Sequence, residues 1–261
     1  MTTPLLRLRG VTAGYAGIPA VRDLDLDLAE GEVLALLGPN GAGKTTTLLA
    51  AAGVIRPMRG TVEAFGRPLH RRLERNARAG LILVPDTRGV FHGLTVRENL
   101  ALARRGGRDR THEELFPALA GLMSRRCGLL SGGEQQMLAL AKALAGRPRV
   151  LLVDEMSMGL APVAVQALLP AVRSLADRFG VGVVLVEQHI DLALSIADRA
   201  IVLHHGRATL AGPAADLRAD RHAVAEAYFG TAPNTLEAPP DGTDRQAARR
   251  PGEHLRHLRA G

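Results

Sequence analysis

The stretch GPNGAGKTT at residues 38–46 constrains this chain more than any other. It fits the spacing G-x-x-x-x-G-K-[ST], in which a glycine-rich turn between a strand and a helix wraps phosphate groups. Gly38, Pro39, Asn40, Gly41, Ala42 and Gly43 form the turn, and Gly41 and Gly43 let successive N–H groups point inward. A helix opening near Gly43 adds its positive N-terminal end. Lys44 brings an ammonium to the outer phosphates, and the hydroxyl of Thr45, followed by Thr46, is a hard oxygen ligand suited to Mg²⁺. The flanks agree with this reading. Residues 33–37, VLALL, form an apolar run of strand length, and residues 44–53 read as a helix closed by glycine.

Hydrophobic residues make up 46% of the 261, so the chain can bury a large core. No apolar stretch reaches the roughly 18 residues that a membrane span needs, and the N-terminal residues lack the apolar run of a signal peptide. The lone Cys127 excludes an intramolecular disulfide and fits a reducing compartment. A cytoplasmic location is expected, and a place on a membrane through a partner stays open. The net charge of +7 raises the question of nucleic acid. Its arginines are scattered, with a concentration at Arg245, Arg249, Arg250, Arg256 and Arg259, and aromatic residues make up only 3%. No stacking surface for bases emerges, so no nucleic-acid partner is expected. Lysine occurs only at Lys44 and Lys142. Its retention in the glycine-rich turn points to a required ammonium.

Along the chain, residues 5–11 and 21–29 read as two strands joined by a short connection, which predicts an antiparallel pair. Further strands are expected at 60–64 and 81–84. Helical spacing then takes over: Thr95 with Glu98 has the spacing of a capping box, residues 113–122 read as a helix despite Pro117, and a helix starting at Ser131 ends at Gly146. Strand and helix alternate again at 150–153, 162–179, 181–186 and from Ile190, followed by strands at 200–204 and 208–211 and helices at 213–218 and 222–229. The fold class expected is α/β: a phosphate-loop core with a mostly parallel sheet, an N-terminal antiparallel β subdomain and a helical subdomain inserted at about 86–130. One domain spans 1–230. Residues 231–261, rich in Pro, Gly, Arg and Asp, read as a disordered basic tail.

Two further stretches carry chemistry. LLVDE at 151–155 is an apolar strand ending in acid, at the sheet edge where α/β folds bind ligands. Asp154 is placed to hold Mg²⁺ opposite Thr45, and Glu155 to orient or deprotonate an attacking water. LSGGEQQ at 130–136 begins a helix with Ser131, Gly132 and Gly133, which makes a second anion-binding helix end or a plain cap. Two such ends in one chain suggest two copies meeting head to tail, each nucleotide lying between them.

Taken together, GPNGAGKTT, LSGGEQQ and LLVDE resemble the ATP-binding subunit of an ATP-binding cassette (ABC) transporter over about residues 4–230. The resemblance implies that Tyr15 stacks on adenine, that residues 157–160 cross a dimer interface, that His189 contacts the γ-phosphate and that Asp86 approaches Mg²⁺. It implies ATP and Mg²⁺ as cofactors, a peripheral place on the inner face of the membrane, and as partners a second ATPase subunit (a homologous chain or itself), permease subunits and, indirectly, an extracytoplasmic solute-binding protein. GEQQMLALAKAL, SMGLAP, LVEQ and AVAEAYFG are similar to subunits of branched-chain amino acid importers, and importers of short amides and urea share much of this pattern. Asp86 stands where the family carries glutamine or glutamate, and Met156 where proline is usual. Two alternatives stay open at this point: a cassette ATPase of DNA repair or translation, and a regulatory nucleotide-binding subunit with little turnover.

Overall fold

A computed structural model describes residues 3–104 and 111–230. Two sheets form the frame. Strands β1 (Leu6–Tyr15), β2 (Ile18–Leu28), β4 (Arg59–Ala64) and β5 (Arg67–Pro68) make an antiparallel sheet in the order β2-β1-β4-β5. The six-stranded sheet has the order β10-β9-β3-β8-β7-β6, with β3 (Val33–Leu37), β6 (Leu81–Val84), β7 (Val150–Asp154), β8 (Gly182–Glu187), β9 (Arg199–His204) and β10 (Arg207–Pro213). All of its pairings are parallel except that of β10 with β9.

The antiparallel pair β1–β2 turns through Ala16 and Gly17, both at positive φ, the turn whose twist matches a hairpin. In β2 the buried side chains are Val21, Leu24, Leu26 and Leu28. The step from Val21 to Leu24 breaks period two, and a bulge explains it: Asp23 sits at φ +51, where the β1–β2 register shifts. The parallel strands need no alternation, because both of their faces are covered. Every residue of β3, β7 and β8 is buried.

Helix α1 (Lys44–Ala52) packs its Leu48, Ala50 and Ala51 into a core shared with Leu6, Leu8 and Leu36, between the two sheets. A second core lies on the other face of the parallel sheet. There α5 (Gly132–Ala145) and α6 (Pro162–Phe179) bury Leu138, Leu140, Leu168 and Leu175 against Val153 and Leu185. A third core gathers α7 (Ile190–Ile196), α8 (Ala214–Ala219) and α9 (Arg221–Phe229) around Leu37 and Val202.

Between β6 and β7 the described elements are helical: α3 (Val96–Ala103), α4 (Thr111–Leu115), 3₁₀ turns at Pro117–Leu122 and Cys127–Leu129, and α5. Thr95 closes the expected capping box, its Oγ1 accepting from the N–H of Glu98 while Glu98 Oε2 accepts from the N–H of Thr95. The helix expected over 113–122 is two pieces. Pro117 disfavours helical backbone at the residue before it, and Phe116 sits at φ −129, ψ 62, ending α4. The pattern also missed α2 (Leu73–Ala79), whose sequence has no apolar face and whose only buried residue is Asn76. Asn76 anchors it, accepting from the His70 N–H at 2.8 Å and donating to the His70 carbonyl at 3.0 Å. The segment read as a basic tail, 231–261, lies outside the described residues.

Candidate functional site

The C-terminal ends of four adjacent strands, β3, β8, β7 and β6, deliver the candidate residues to one edge of the sheet. The register puts them level. Leu37 pairs with Glu187, Val186 with Asp154, and Val153 with Val84. The glycine-rich loop leaves β3, the acidic pair leaves β7, residues 187–189 leave β8, and Asp86 follows β6.

Sterics shape the loop. Gly38 (φ +148) is pressed on the Leu203 carbonyl, where a Cβ would collide. Gly43 (φ +98) is the N-cap of α1, and a Cβ there would fall 2.7 Å from the Ala20 carbonyl oxygen. The loop is thus clamped between β9 and the β1–β2 hairpin. Tyr15, 52% exposed at the tip of that hairpin, presents an open ring. Asn40 and Gly41 are exposed, Pro39 is half-buried, and Ala42 and Thr46 are buried.

Lys44 is 4% exposed, and its ammonium donates to the carbonyls of Gly38 (2.8 Å) and Pro39 (3.1 Å), folded into its own loop. It lies 4.0 Å from Glu155 Oε1. Burial lowers its pKa, against the opposing pull of Glu155, Asp154 and Glu187. Thr45 Oγ1 donates to Asp154 Oδ1 at 3.3 Å, joining the two residues expected to share a cation. Asp154 is 3% exposed, and its pKa is raised to about 6: burial dominates, the Thr45 hydrogen bond opposes it, and the negative charges of Glu155 and Asp86 add to it. A hydroxyl and a buried carboxylate short of positive charge form a donor set that fits Mg²⁺, which takes few protein ligands and completes its shell with phosphate and water. Asp86 is exposed and its Oδ1 accepts from the Thr87 N–H at 2.7 Å, so its charge reaches Asp154 while its carboxylate is tied to its own turn.

Glu155 occupies left-handed backbone, φ +45, held by its N–H to the Val186 carbonyl at 3.1 Å. A non-glycine residue there is strained, and such strain collects at functional sites. Its Oε1 accepts from Gln188 Nε2 at 2.8 Å. His189, the other expected catalytic residue, is exposed at the head of α7; its ring lies near enough to Glu187 to lower that carboxyl's pKa, and no side-chain cap ties it to the helix. The sequence shows Gln188 and Glu187 only as part of LVEQ, with no role of their own. Glu187, 1% exposed, accepts from the Ser157 N–H (2.9 Å) and Oγ (2.7 Å) and so fixes the loop after Glu155. Burial pushes its pKa up, against those hydrogen bonds. The available signal was two polar residues closing a buried strand beside Asp154.

Ser131, Gly132 and Gly133 sit at the start of α5, which packs on α3, α4 and β6. Ser131 caps α5 in a box with Glu134. A Cβ on Gly133 would fall 2.8 Å from Ala164 Cβ of α6, so this glycine is also needed for packing. A groove of about 360 Å³ runs between α2, β6 and α5, lined by Ile82, Val84, Pro85, Arg88 and Lys142 among others. The loop beside it is strapped to α5: Arg88 donates to Gln135 Oε1 at 2.9 Å, and Lys142 donates to the Gly89 carbonyl at 2.6 Å and lies over the Phe91 ring.

The sequence profile of the ABC transporter family matches residues 21–158. This chain belongs to that family. It is similar to the high-affinity branched-chain amino acid transport ATP-binding protein BraG of Pseudomonas aeruginosa, at 38% identity over 87% of this chain and all of BraG. It is similar to the probable branched-chain amino acid transport ATP-binding protein LivF of Archaeoglobus fulgidus, at 36% identity over 82% of this chain and 94% of LivF. The lipopolysaccharide export ATP-binding protein LptB of Acidithiobacillus ferridurans matches at 33% over 87% of this chain and 97% of LptB. The fold is that of the solved ATP-binding subunit of an ABC transporter, with a TM-score of 0.75 and 28% identity over 87% of this chain and 98% of that one. The chain is therefore an ABC transporter ATP-binding subunit, and its relatives carry more than one cargo. No helix among the described residues is long and apolar enough to cross a membrane.

Proposed function

We propose that this chain hydrolyses ATP to drive uptake of branched-chain amino acids, or a related small polar solute, through separate permease subunits. The observation that carries the ATPase reading is the level arrangement of Lys44, Thr45, Asp154 and Glu155 across neighbouring strand ends. The likeness to BraG and LivF over most of the chain supports the cargo class.

In this reading Lys44 leaves the carbonyls of Gly38 and Pro39 and turns its charge to the phosphates, with the amides of residues 39–46 around them. Thr45, Asp154 and Asp86 would hold Mg²⁺. Bound there, the ion neutralises charge between the outer phosphates. Glu155 accepts the proton of the attacking water as its oxygen bonds to the γ-phosphorus and the bond to the β-phosphate oxygen breaks. Tyr15 stacks on the base. Ser131, Gly132 and Gly133 serve the nucleotide of a second cassette, this chain's copy or a homologue, as a second anion-binding helix end in the same chain would. The groove beside Arg88 and Lys142 receives a permease segment, which places the protein peripherally on the cytoplasmic side of the membrane. A solute-binding protein acts outside.

The test is uptake of labelled leucine, valine and isoleucine by vesicles holding the recovered complex, with ATP inside. Competition among the three and none from ribose supports the reading. ATP-driven uptake of another solute alone replaces the cargo, and an absence of ATP turnover in the assembled complex removes the ATPase assignment.

A further inference from the structure

We infer that Gln188, not His189, is the side chain that positions Glu155 for the attack on ATP. The inference rests on the assignment of Glu155 just made. Three observations carry it. Gln188 Nε2 donates to Glu155 Oε1 at 2.8 Å. The pairing of Asp154 with Val186 brings the ends of β7 and β8 side by side, so this contact joins neighbouring strand ends rather than mobile surface groups. His189 is exposed at the head of the following helix and makes no side-chain cap there.

The chemistry of an amide has consequences. Gln188 Nε2 carries two N–H donors and the Glu155 bond uses one, leaving the other for a phosphate oxygen. Glu155 Oε1 faces both the amide and the Lys44 ammonium, which leaves Oε2 as the acceptor for water. An amide does not gain or lose a proton at ordinary pH. The water's proton therefore passes to Glu155 and on to the product phosphate, and Gln188 exchanges none. An imidazole in the same place would add its own ionisation near pH 6.5 to the rate profile. Gln188 is a positioning residue whose contribution is independent of pH.

The experiment uses the intact complex carrying Glu155→Gln, Gln188→Ala, Gln188→His and His189→Ala. Gln188→Ala is expected to lower kcat by roughly 10- to 100-fold with KM for ATP unchanged, the size of effect seen when one oriented polar group is lost. Gln188→His is expected to restore part of kcat and to add the ionisation of an imidazole to the wild-type rate profile. His189→Ala is expected to lower kcat less than Gln188→Ala does, because it leaves the Gln188–Glu155 bond in place. A second readout needs no nucleotide. Melting of the nucleotide-free chain with Glu155→Ala, Gln188→Ala and both together is expected to be non-additive, because the two side chains touch. If Glu155→Gln leaves turnover intact, the assignment of Glu155 itself fails. If Glu155→Gln abolishes turnover while Gln188→Ala does not reduce it, or if His189→Ala costs as much as Gln188→Ala, or if the melting shifts simply add, the inference is overturned.

Discussion

The phosphate-binding edge and the start of α5 are held by different means. At the edge, backbone does the holding: Gly38 and Gly43 sit where a Cβ would strike a carbonyl, and Asp154 and Glu187 are fixed by strand register. At α5, side chains and helix packing hold: a capping box at Ser131, Gly133 against Ala164, and the Arg88–Gln135 and Lys142–Gly89 straps that tie the loop after β6 to the helix. The first arrangement is a rigid cradle. The second is a jointed one, in which a displaced loop pulls on the helix whose N-terminus is proposed to serve the other nucleotide. The difference teaches where turnover and where coupling should be lost.

Removing the cradle's charge should have the largest effect. Lys44→Ala is expected to lower turnover by at least about 10²–10³-fold and to weaken ATP binding in the isolated chain, read by a fluorescent nucleotide titration. Gly133→Ala should act in the other region. Its Cβ meets Ala164, so α5 must shift on α6, and turnover is expected to fall roughly tenfold while the isolated chain keeps its ATP affinity. A fall in that affinity would erase the distinction between the regions. Lys142→Ala loses the Gly89 bond and the Phe91 contact, and is expected to reduce the permease's stimulation of ATPase activity by about twofold to fivefold with little change in unstimulated turnover. Equal losses with and without permease would reduce the strap to a stability device.

The smallest effect concerns the nucleotide-free cradle. Asp154 has a folded pKa of about 6 against an ordinary 3.8, raised chiefly by burial. Below the ordinary value both states are protonated and folding bears no penalty; as pH rises through about 6 the folded chain must carry a buried charge and loses stability. Asp154→Asn is therefore expected to raise the melting temperature of the nucleotide-free chain by about 2–4 °C at pH 7.5 and by nothing near pH 4. Added Mg²⁺-ATP should reverse the order, because the wild type gains more from binding than a variant short of one cation ligand.

The sequence disclosed the cradle more fully than its surroundings, for physical reasons. A run such as VLALL bounded by glycine has one reading as a buried strand, and Val33–Leu37 matched it end to end. The start of α5 was legible because capping residues precede an apolar period. Three features were hidden. The bulge at Asp23 slips the period of β2 by one residue, which alternation cannot foretell. Helix α2 depends on a single buried asparagine, not on an apolar stripe. At the end of β8 nothing in the sequence announced the hydrogen bond that Gln188 gives Glu155, because such a contact depends on which strand ends lie side by side.

The claim that half of each nucleotide's cradle belongs to a neighbouring cassette is tested most directly with Ser131→Arg, a bulky charge placed at the start of α5. ATP affinity of the isolated chain and turnover per chain would be followed across a range of concentrations, for the purified chain and its recovered complex. The account predicts unchanged affinity, turnover that rises with assembly in the wild type, and its loss in the variant. Concentration-independent, wild-type turnover by the Ser131→Arg chain would contradict it.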